Sequence, residues 1–227
     1  MKIKAFIFDV DGTLAQTEEA HRQAFNDTFA ARGMGWHWDI PIYGALLKTT
    51  GGKERMMEYQ SCHRAAERQM PFAEIAEIHL QKTARYVEIL AKGELELRPG
   101  VADLIDRAAV AGIRLAIATT TSRPNVDALT ACCWGKAPEE VFEVIITGEQ
   151  AKAKKPAPDL FELALNKLQL SPENCLAFED SRNGLLSAMG AGISTIVTPC
   201  LYTLNQDFSG AGKVMQTLQE FDISTMI

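Results

Sequence analysis

Short runs of apolar residues recur along the chain and predict a sheet of buried parallel strands. Each run is almost uninterrupted by polar residues, which is typical of strands that are covered on both faces. The runs are Ala5 to Phe8, Leu115 to Ala118, Val144 to Ile146, Leu176 to Phe178 and Thr195 to Val197. Segments with the helical spacing of apolar residues separate the later runs, as at Val101, Leu104, Ile105 and Ala108. Alternating strands and helices predict an α/β fold with a Rossmann-like parallel sheet.

The stretch from residue 17 to residue 91 breaks this alternation and predicts an all-helical insert. Helical patterns occur around Ala20 to Ala31, Lys53 to Arg68 and Phe72 to Leu90, and no convincing strand lies between them. A proline and a glycine at Arg98-Pro99-Gly100 predict the turn at which the chain rejoins the sheet. We therefore expect a core formed by residues 1–16 and 92–227 and a helical cap formed by residues 17–91.

Composition narrows the class of protein. With 227 residues, 47% of them hydrophobic, the chain can bury a full core. The net charge of -6 disfavours nucleic acid and acidic membranes as partners, so local cations must bind any anionic substrate. No apolar run is long enough to cross a bilayer, and the apolar segment that ends at Phe8 reaches Asp9 too soon for us to expect it to serve as a signal peptide. We expect a soluble cytoplasmic protein, for which a monomer is plausible, with five inert cysteines and no disulfide framework.

Two aspartates directly after the first predicted strand carry the strongest chemical pattern. In Phe8-Asp9-Val10-Asp11-Gly12-Thr13 the carboxylates are two residues apart at the strand's carboxyl end, where open α/β sheets bind their ligands. One acid at this spacing can attack a substrate while the other transfers a proton. A solvated Asp-Gly turn is the alternative interpretation of the motif on its own.

Two further strand ends carry polar groups. Thr119 and Thr120 follow the second predicted strand, and their hydroxyls and turn amides can donate to phosphoryl oxygens. Glu179 and Asp180 follow the fourth, and their oxygens suit Mg²⁺. Taken separately, these residues also fit helix capping. Lys155 would help to keep Asp9 ionised among so many carboxylates and would balance charge on a phosphoryl group.

These residues together resemble the four motifs of the haloacid dehalogenase-like superfamily. The matching positions are Asp9-Val10-Asp11-Gly12-Thr13, Thr119, Lys155 with Pro156, and Glu179-Asp180. The resemblance extends over essentially the whole chain, including a helical cap inserted after the first motif. It implies that Asp9 is the nucleophile, that Asp11 is the general acid and base, and that Thr119 and Lys155 hold the phosphoryl oxygens. It also implies that Mg²⁺ is bound by Asp9, the Asp11 carbonyl and Asp180, with Glu179 as a ligand or a neighbour.

A closer resemblance is to the CbbY-type phosphatases. It rests on Asp11 to Glu18, His21 to Phe25, Thr49 to Arg55 and Ala118 to Ser122. It implies hydrolysis of a small sugar phosphate, xylulose 1,5-bisphosphate, which is a misfire product that inhibits the carbon-fixing enzyme rubisco. Six cap residues are candidates for substrate contacts, although each also fits a solvated helix surface: Glu18, His21, Lys53, Arg55, Lys82 and Arg85.

Other functions remain open at this level. A phosphomutase of the β-phosphoglucomutase type shares the chemistry of Asp9 and differs only in that a sugar hydroxyl, instead of water, accepts the phosphoryl group. A phosphoglycolate phosphatase or a broad sugar-phosphate phosphatase shares the motifs. A dehalogenase needs no leaving-group acid at Asp11 and no metal at Asp180, so the presence of these two residues favours a phosphatase over a dehalogenase. A receiver-like signalling domain also places acids at strand ends, but it lacks a cap.

Overall fold

The computed structural model describes residues 2–224, and a single parallel sheet organises the larger part of them. The spatial order is β3-β2-β1-β4-β5-β6, and every neighbouring pair is parallel. The strands are β1 Ala5–Phe8, β2 Arg114–Ala118, β3 Val144–Ile146, β4 Cys175–Glu179, β5 Ser194–Val197 and β6 Lys213–Val214. The α/β parallel-sheet prediction is confirmed, and the five predicted strands agree with β1 to β5 to within one residue at each end. The pattern missed β6, an exposed edge strand without an apolar run.

Helices cover both faces of the sheet because β1 presents apolar side chains alternately to each. Phe6 and Phe8 face one layer, where they pack in a core with Leu104 and Leu129. Ile7 faces the other layer. The four helices of these layers are α5 Val101–Val110, α6 Arg123–Trp134, α7 Asp159–Leu168 and α8 Arg182–Gly190. Strand β1 is thus buried completely at the centre of the sheet.

The first four of the five helices between β1 and β2 have a hydrophobic core of their own. They are α1 Glu18–Ala31, α2 Ile40–Leu46, α3 Gly52–His63 and α4 Phe72–Leu90. Trp36 and Trp38 are buried in that core beside Phe25 and Phe29. Helix α3 ends five residues before the expected Arg68, and α2 was not predicted because its seven residues offer too little helical period. The domain limits at residues 17 and 91 stay a prediction.

The two connections between the helical cap and the sheet lie side by side. Ala15 forms an antiparallel bridge with Leu97, and the backbone N–H of Arg98 donates to the carbonyl of Leu14 at 2.8 Å. The buried guanidinium of Arg98 donates to the carbonyls of Gly12 and Thr198 and, at 2.9 Å, to that of Pro199. Arg98 therefore ties the start of the cap to the loop that follows β5.

Candidate active site

Asp9 lies at the carboxyl end of the central strand, between the ends of β2 and β4. Its backbone N–H donates to the carbonyl of Phe178 at 2.9 Å, which fixes the residue next to the end of β4. The Lys155 ammonium donates to Asp9 Oδ1 at 2.6 Å and to Glu179 Oε1 at 2.5 Å. The parallel pairing of β1 with β4 brings Asp9 and Glu179 together, and Lys155 reaches both from the connection between β3 and α7.

Three buried carboxylates crowd around this lysine. Ligand oxygens of Asp9, Glu179 and Asp180 all lie within 4.8 Å of one another. Burial raises the pKa of Asp9 above its ordinary value, and Glu179 and Asp180 add to the shift although Lys155 opposes it. Burial and the charge on Glu179 raise the pKa of Asp180 to about 8. The cluster has more negative charge than Lys155 can balance, so its hard oxygen donors fit a divalent cation such as Mg²⁺.

Two glycines allow the carboxylates to come so close. A Cβ on Gly12, whose φ is +82°, would lie 2.7 Å from Asp180 Cγ. A Cβ on Gly184 in α8 would fall on the carboxylate of Glu179, which is completely buried. The sequence analysis gave Gly12 only a turn role and missed Gly184, because the close approach exists only between folded elements.

Asp11 lies beside Asp9 but is held by the cap. Its Oδ1 accepts a hydrogen bond from the Thr17 hydroxyl at 2.6 Å and lies 3.0 Å from Nε2 of His21. His21 Nδ1 in turn lies 2.6 Å from the buried Lys82 ammonium. Burial and Lys82 lower the pKa of His21, so the neutral ring accepts from Lys82 at Nδ1 and donates to Asp11 from Nε2.

The carboxyl group of Asp11 is ionised in this arrangement. Burial by itself would raise its pKa, but His21, Thr17 and Lys82 outweigh burial and hold the pKa below its usual range. Burial also lowers the pKa of Lys82 to about 7. An ionised carboxylate at this place can accept a proton from a group bound next to Asp9.

A cavity of about 800 Å³ separates the sheet edge from the cap. Its walls bring together most of the site residues predicted from the sequence, from the sheet as well as from the helices. The predicted residues that line it are Asp9, Asp11, Glu18, His21, Lys53, Arg55, Lys82, Thr119, Thr120, Lys155 and Asp180. Acids lie at the sheet and cations at the cap. The cap end suits a negatively charged group directly, and the sheet end would do so once a divalent cation neutralises its acids.

Two predicted residues lie elsewhere. Arg85 is outside the cavity, where its guanidinium pairs with Asp27 at 2.8 Å and Glu88 at 2.9 Å. It lies one helical turn beyond Lys82 on α4, on a side of the helix that faces α1 rather than the cavity. Glu179 points at Lys155 instead of lining the cavity, so it orients the lysine in this structure.

The cavity also contains residues that the sequence analysis missed. His79 lines it from α4, close to Gly52, and burial together with Lys82 and Lys53 lowers the pKa of His79 to about 2. The spacing of His79, Lys82 and Thr83, at i, i+3 and i+4, indicates one shared helix face and is a pattern that could have found it. Asn183 on α8 donates from its amide to the Thr50 hydroxyl at 3.0 Å and had no such pattern.

Comparisons with known proteins agree with this geometry. A model of the family described as haloacid dehalogenase-like hydrolase matches residues 3–192. Protein CbbY of Rhodobacter capsulatus is 56% identical over 211 residues, which cover 93% of this chain and 92% of that protein. The crystal structure of CbbY from Rhodobacter sphaeroides in complex with phosphate matches with a TM-score of 0.91 at 51% identity over 96% of each chain. A mutant of that protein in complex with xylulose-(1,5)bisphosphate matches with a TM-score of 0.91 at 50% identity, also over 96% of each chain.

We expect Gly184→Ala to destabilise the protein and to lower its activity. Alanine ordinarily stabilises a helix by about 1 kcal/mol relative to glycine, but here the added Cβ would displace the Glu179 carboxylate and with it Lys155. We expect a loss of about 1–3 kcal/mol in the free energy of unfolding, as for an overpacked core. Urea denaturation measures it. Gly35→Ala is the control, since nothing lies within 4 Å of a Cβ there, and equal stability of the two variants would contradict the packing argument.

Proposed function

We propose that this chain, which belongs to the haloacid dehalogenase-like hydrolase family, is a Mg²⁺-dependent phosphatase that converts xylulose 1,5-bisphosphate into xylulose 5-phosphate. The observation that carries the proposal is the two-ended cavity, with Asp9 and Lys155 at the sheet and the cations Lys53, Arg55 and Lys82 at the cap. The phosphatase class follows from the family and from the similarity to CbbY proteins. The complex of a similar protein with xylulose-(1,5)bisphosphate supports the substrate.

The acid cluster fits Mg²⁺. Asp9, Asp180 and the backbone carbonyl of Asp11 would hold the ion, and Glu179 would support them through Lys155. When bound, Mg²⁺ supplies positive charge that stabilises the phosphoryl group and its transition state. The raised pKa values of Asp9 and Asp180 support this assignment, because burial, with a further contribution from neighbouring carboxylates, disfavours the ionised forms that a divalent cation would stabilise.

The hydrolysis divides into two displacements at phosphorus. In the first, an oxygen of Asp9 forms a bond to phosphorus while the bond from phosphorus to the sugar oxygen breaks, and Asp11 gives that oxygen the proton that it took from water in the preceding turnover. In the second, the oxygen of a water molecule forms a bond to phosphorus while the bond from phosphorus to Asp9 breaks, and the water gives a proton to Asp11. Asp9 and orthophosphate are released. Lys155 and Thr119 hold the phosphoryl oxygens throughout.

The bonds from Thr17 and His21 determine when Asp11 can carry a proton. They favour the ionised form, which suits the base role in the second displacement. To act as an acid, Asp11 must exchange these bonds for one to the leaving oxygen. Since Thr17 and His21 belong to the cap side of the site, this exchange links proton transfer to the position of the cap.

The second phosphate of the substrate has partners in the cap. Lys53, Arg55 and Lys82 line the cavity, and among residues 2–224 none of them forms an ion pair with a carboxylate. Lys53 and Arg55 flank Glu54 at the start of α3, so both project from the segment that covers the cavity. A substrate with a single phosphate would leave these charges without a partner. Binding energy from a remote phosphate can be used to close the site and orient the reacting end.

The cap is held against the sheet domain on the side away from its connections. The Lys154 ammonium lies 2.7 Å from both oxygens of Glu54, and the amide of Asn183 donates to the carbonyl of Lys48 at 3.0 Å. Lys154 is next to Lys155 in the sequence, and Glu54 lies in the first turn of α3. These contacts close the cavity over a bound substrate and exclude bulk water.

We expect Asp9→Asn to abolish hydrolysis while the fold is retained. An amide cannot act as the nucleophile and is a poorer Mg²⁺ ligand, so kcat should fall by about 10³-fold or more. Phosphate release measures it, with circular dichroism as the check on folding. EDTA should silence the wild type, and added Mg²⁺ should restore it. Asp11→Asn is the companion variant, and it should lower turnover of the sugar phosphate by about 10²-fold. The loss should be smaller for the step in which p-nitrophenyl phosphate phosphorylates Asp9, because the p-nitrophenol leaving group needs no proton. Substantial turnover by folded Asp9→Asn protein would overturn the mechanism.

We expect xylulose 1,5-bisphosphate to have the highest kcat/KM in a screen that also contains ribulose 1,5-bisphosphate, glucose 1-phosphate and phosphoglycolate. Arg55→Met should lower that value by about tenfold or more, as for the loss of a charged hydrogen bond, and should leave p-nitrophenyl phosphate nearly unaffected.

Arg85→Met is the matched control for Arg55→Met, because Arg85 lies on the cap but outside the cavity. It should leave kcat/KM unchanged for xylulose 1,5-bisphosphate and for p-nitrophenyl phosphate. If the kcat/KM of one of the other three substrates in the screen equals that of xylulose 1,5-bisphosphate, the substrate assignment is wrong and the phosphatase class stands. A phosphomutase would instead convert glucose 1-phosphate into a 6-phosphate without releasing phosphate.

We expect Lys154→Met and Glu54→Gln each to raise KM for the bisphosphate by about three- to fivefold, because a partly exposed ion pair contributes up to about 1 kcal/mol. If the pair acts as one contact, the double variant should cost no more than either single variant. Glu77→Gln is the control, since Glu77 pairs with Arg32 inside the cap at 3.5 Å. If the two changes raise KM additively, Lys154 and Glu54 do not act as one contact that holds the cap against the sheet domain.

A further inference from the structure

A buried tyrosine connects two residues that line the cavity but does not line it itself. The Tyr43 hydroxyl on α2 donates to Glu18 Oε2 at 2.6 Å. It accepts from Nη1 of Arg55 at 3.3 Å, and the Arg55 guanidinium also lies 5.6 Å from the centre of the Tyr43 ring. Glu18 and Arg55 both line the cavity. A directed hydrogen-bond chain therefore runs from the Arg55 cation through the Tyr43 hydroxyl to the Glu18 carboxylate.

We propose that Tyr43 is a positioning residue for substrate specificity, which fixes Glu18 and Arg55 at a set spacing so that the pair recognises a sugar hydroxyl and a nonreacting phosphate on one substrate. This role rests on the proposed function, because it assigns Arg55 to the second phosphate. It adds a residue that touches no reacting atom and that no sequence motif contains.

The surroundings of Tyr43 hold it in one orientation. Its side chain is completely buried, and its ring packs against Phe25, Trp38 and, at 5.7 Å, Tyr202. Burial and the Glu18 carboxylate raise the pKa of the hydroxyl well above its ordinary value, so it remains a donor to Glu18. A rigid donor of this kind lowers the entropy that Glu18 would otherwise lose when substrate binds.

Glu18 has a distinct task in this cavity. Among the described lining residues it is the one carboxylate that comes from the helical cap, where the other charged groups are Lys48, Lys53, Arg55 and Lys82. A carboxylate only accepts hydrogen bonds, so it binds sugar hydroxyls and repels phosphate. Arg55 donates to phosphate. Their spacing therefore discriminates between a phosphorylated polyol and a simple phosphate ester.

Removal of the hydroxyl tests the proposal while the ring is kept. Tyr43→Phe should lower kcat/KM by about tenfold or more, mainly through KM, on the sugar phosphate that the wild type hydrolyses best, since a hydrogen bond to a charged group is lost. It should change kcat/KM for p-nitrophenyl phosphate by less than about twofold, because that ester needs neither Glu18 nor Arg55. Glu18→Gln combined with Tyr43→Phe should cost no more than Glu18→Gln alone.

Tyr59→Phe is the matched control. Tyr59 belongs to the same buried aromatic cluster, but it does not line the cavity. It should leave both substrates within about twofold of the wild type. Three outcomes would each overturn the proposal. Tyr43→Phe could lower kcat/KM equally for both substrates, or it could have the same effect as Tyr59→Phe. The effects of Tyr43→Phe and Glu18→Gln on kcat/KM could also be additive. A lower melting temperature of Tyr43→Phe does not alter this decision, because a purely structural loss leaves the ratio of the two substrates unchanged.

The substrate assignment is tested separately in the same measurements. If the wild type prefers another sugar phosphate, xylulose 1,5-bisphosphate is the wrong substrate, and the comparison with p-nitrophenyl phosphate still decides the role of Tyr43.

Discussion

Repulsion among the buried carboxylates at the end of the central strand is the constraint on which the rest of the site depends. Asp9, Glu179 and Asp180 lie within 4.8 Å of one another and are shielded from water, so each ionised form opposes the others. Lys155 stabilises two of them directly, at 2.6 and 2.5 Å. The remaining negative charge is what a divalent cation would neutralise, and in the proposed function the cluster would then hold a phosphoryl group.

The fold provides the rigidity that such a cluster requires. Strand β1 is hydrogen-bonded on both sides, to β2 and β4, so the end of the strand cannot move away from its neighbours. Gly12 and Gly184 have no Cβ, and a Cβ at either position would overlap the Asp180 or the Glu179 carboxylate. Arg98 fixes the turn after Asp11 through backbone carbonyls on two loops. The repulsion is therefore contained by the packed sheet and does not distort the site.

The cap has the opposite electrostatic character, and in our proposal it selects the substrate. Its cations face the acids of the sheet across a cavity of about 800 Å³, so a substrate with phosphate at both ends would fit once a divalent cation neutralises the acidic end. Glu18 is the exception within the cap, and the hydrogen bond from Tyr43 stabilises it beside Arg55. The cap also holds Asp11 through Thr17 and His21, so the domain to which we assign substrate selection also contacts the residue to which we assign proton transfer.

The sequence by itself determined the parallel sheet and the residues at its carboxyl edge, because apolar runs mark buried strands and Asp9, Thr119, Lys155 and Asp180 follow those runs or lie between them. It also identified the charged candidates in the cap, since Lys53, Arg55 and Lys82 stand in helical segments. Only the tertiary structure decided which of them share a site. Arg85 pairs with Asp27, whereas Tyr43 and Gly184, which carry no chemical motif, became essential to the geometry. The periodicity of a segment indicates which of its sides is apolar. The rotation of one helix relative to another depends on packing between residues that are distant in the sequence, and no local pattern contains that information.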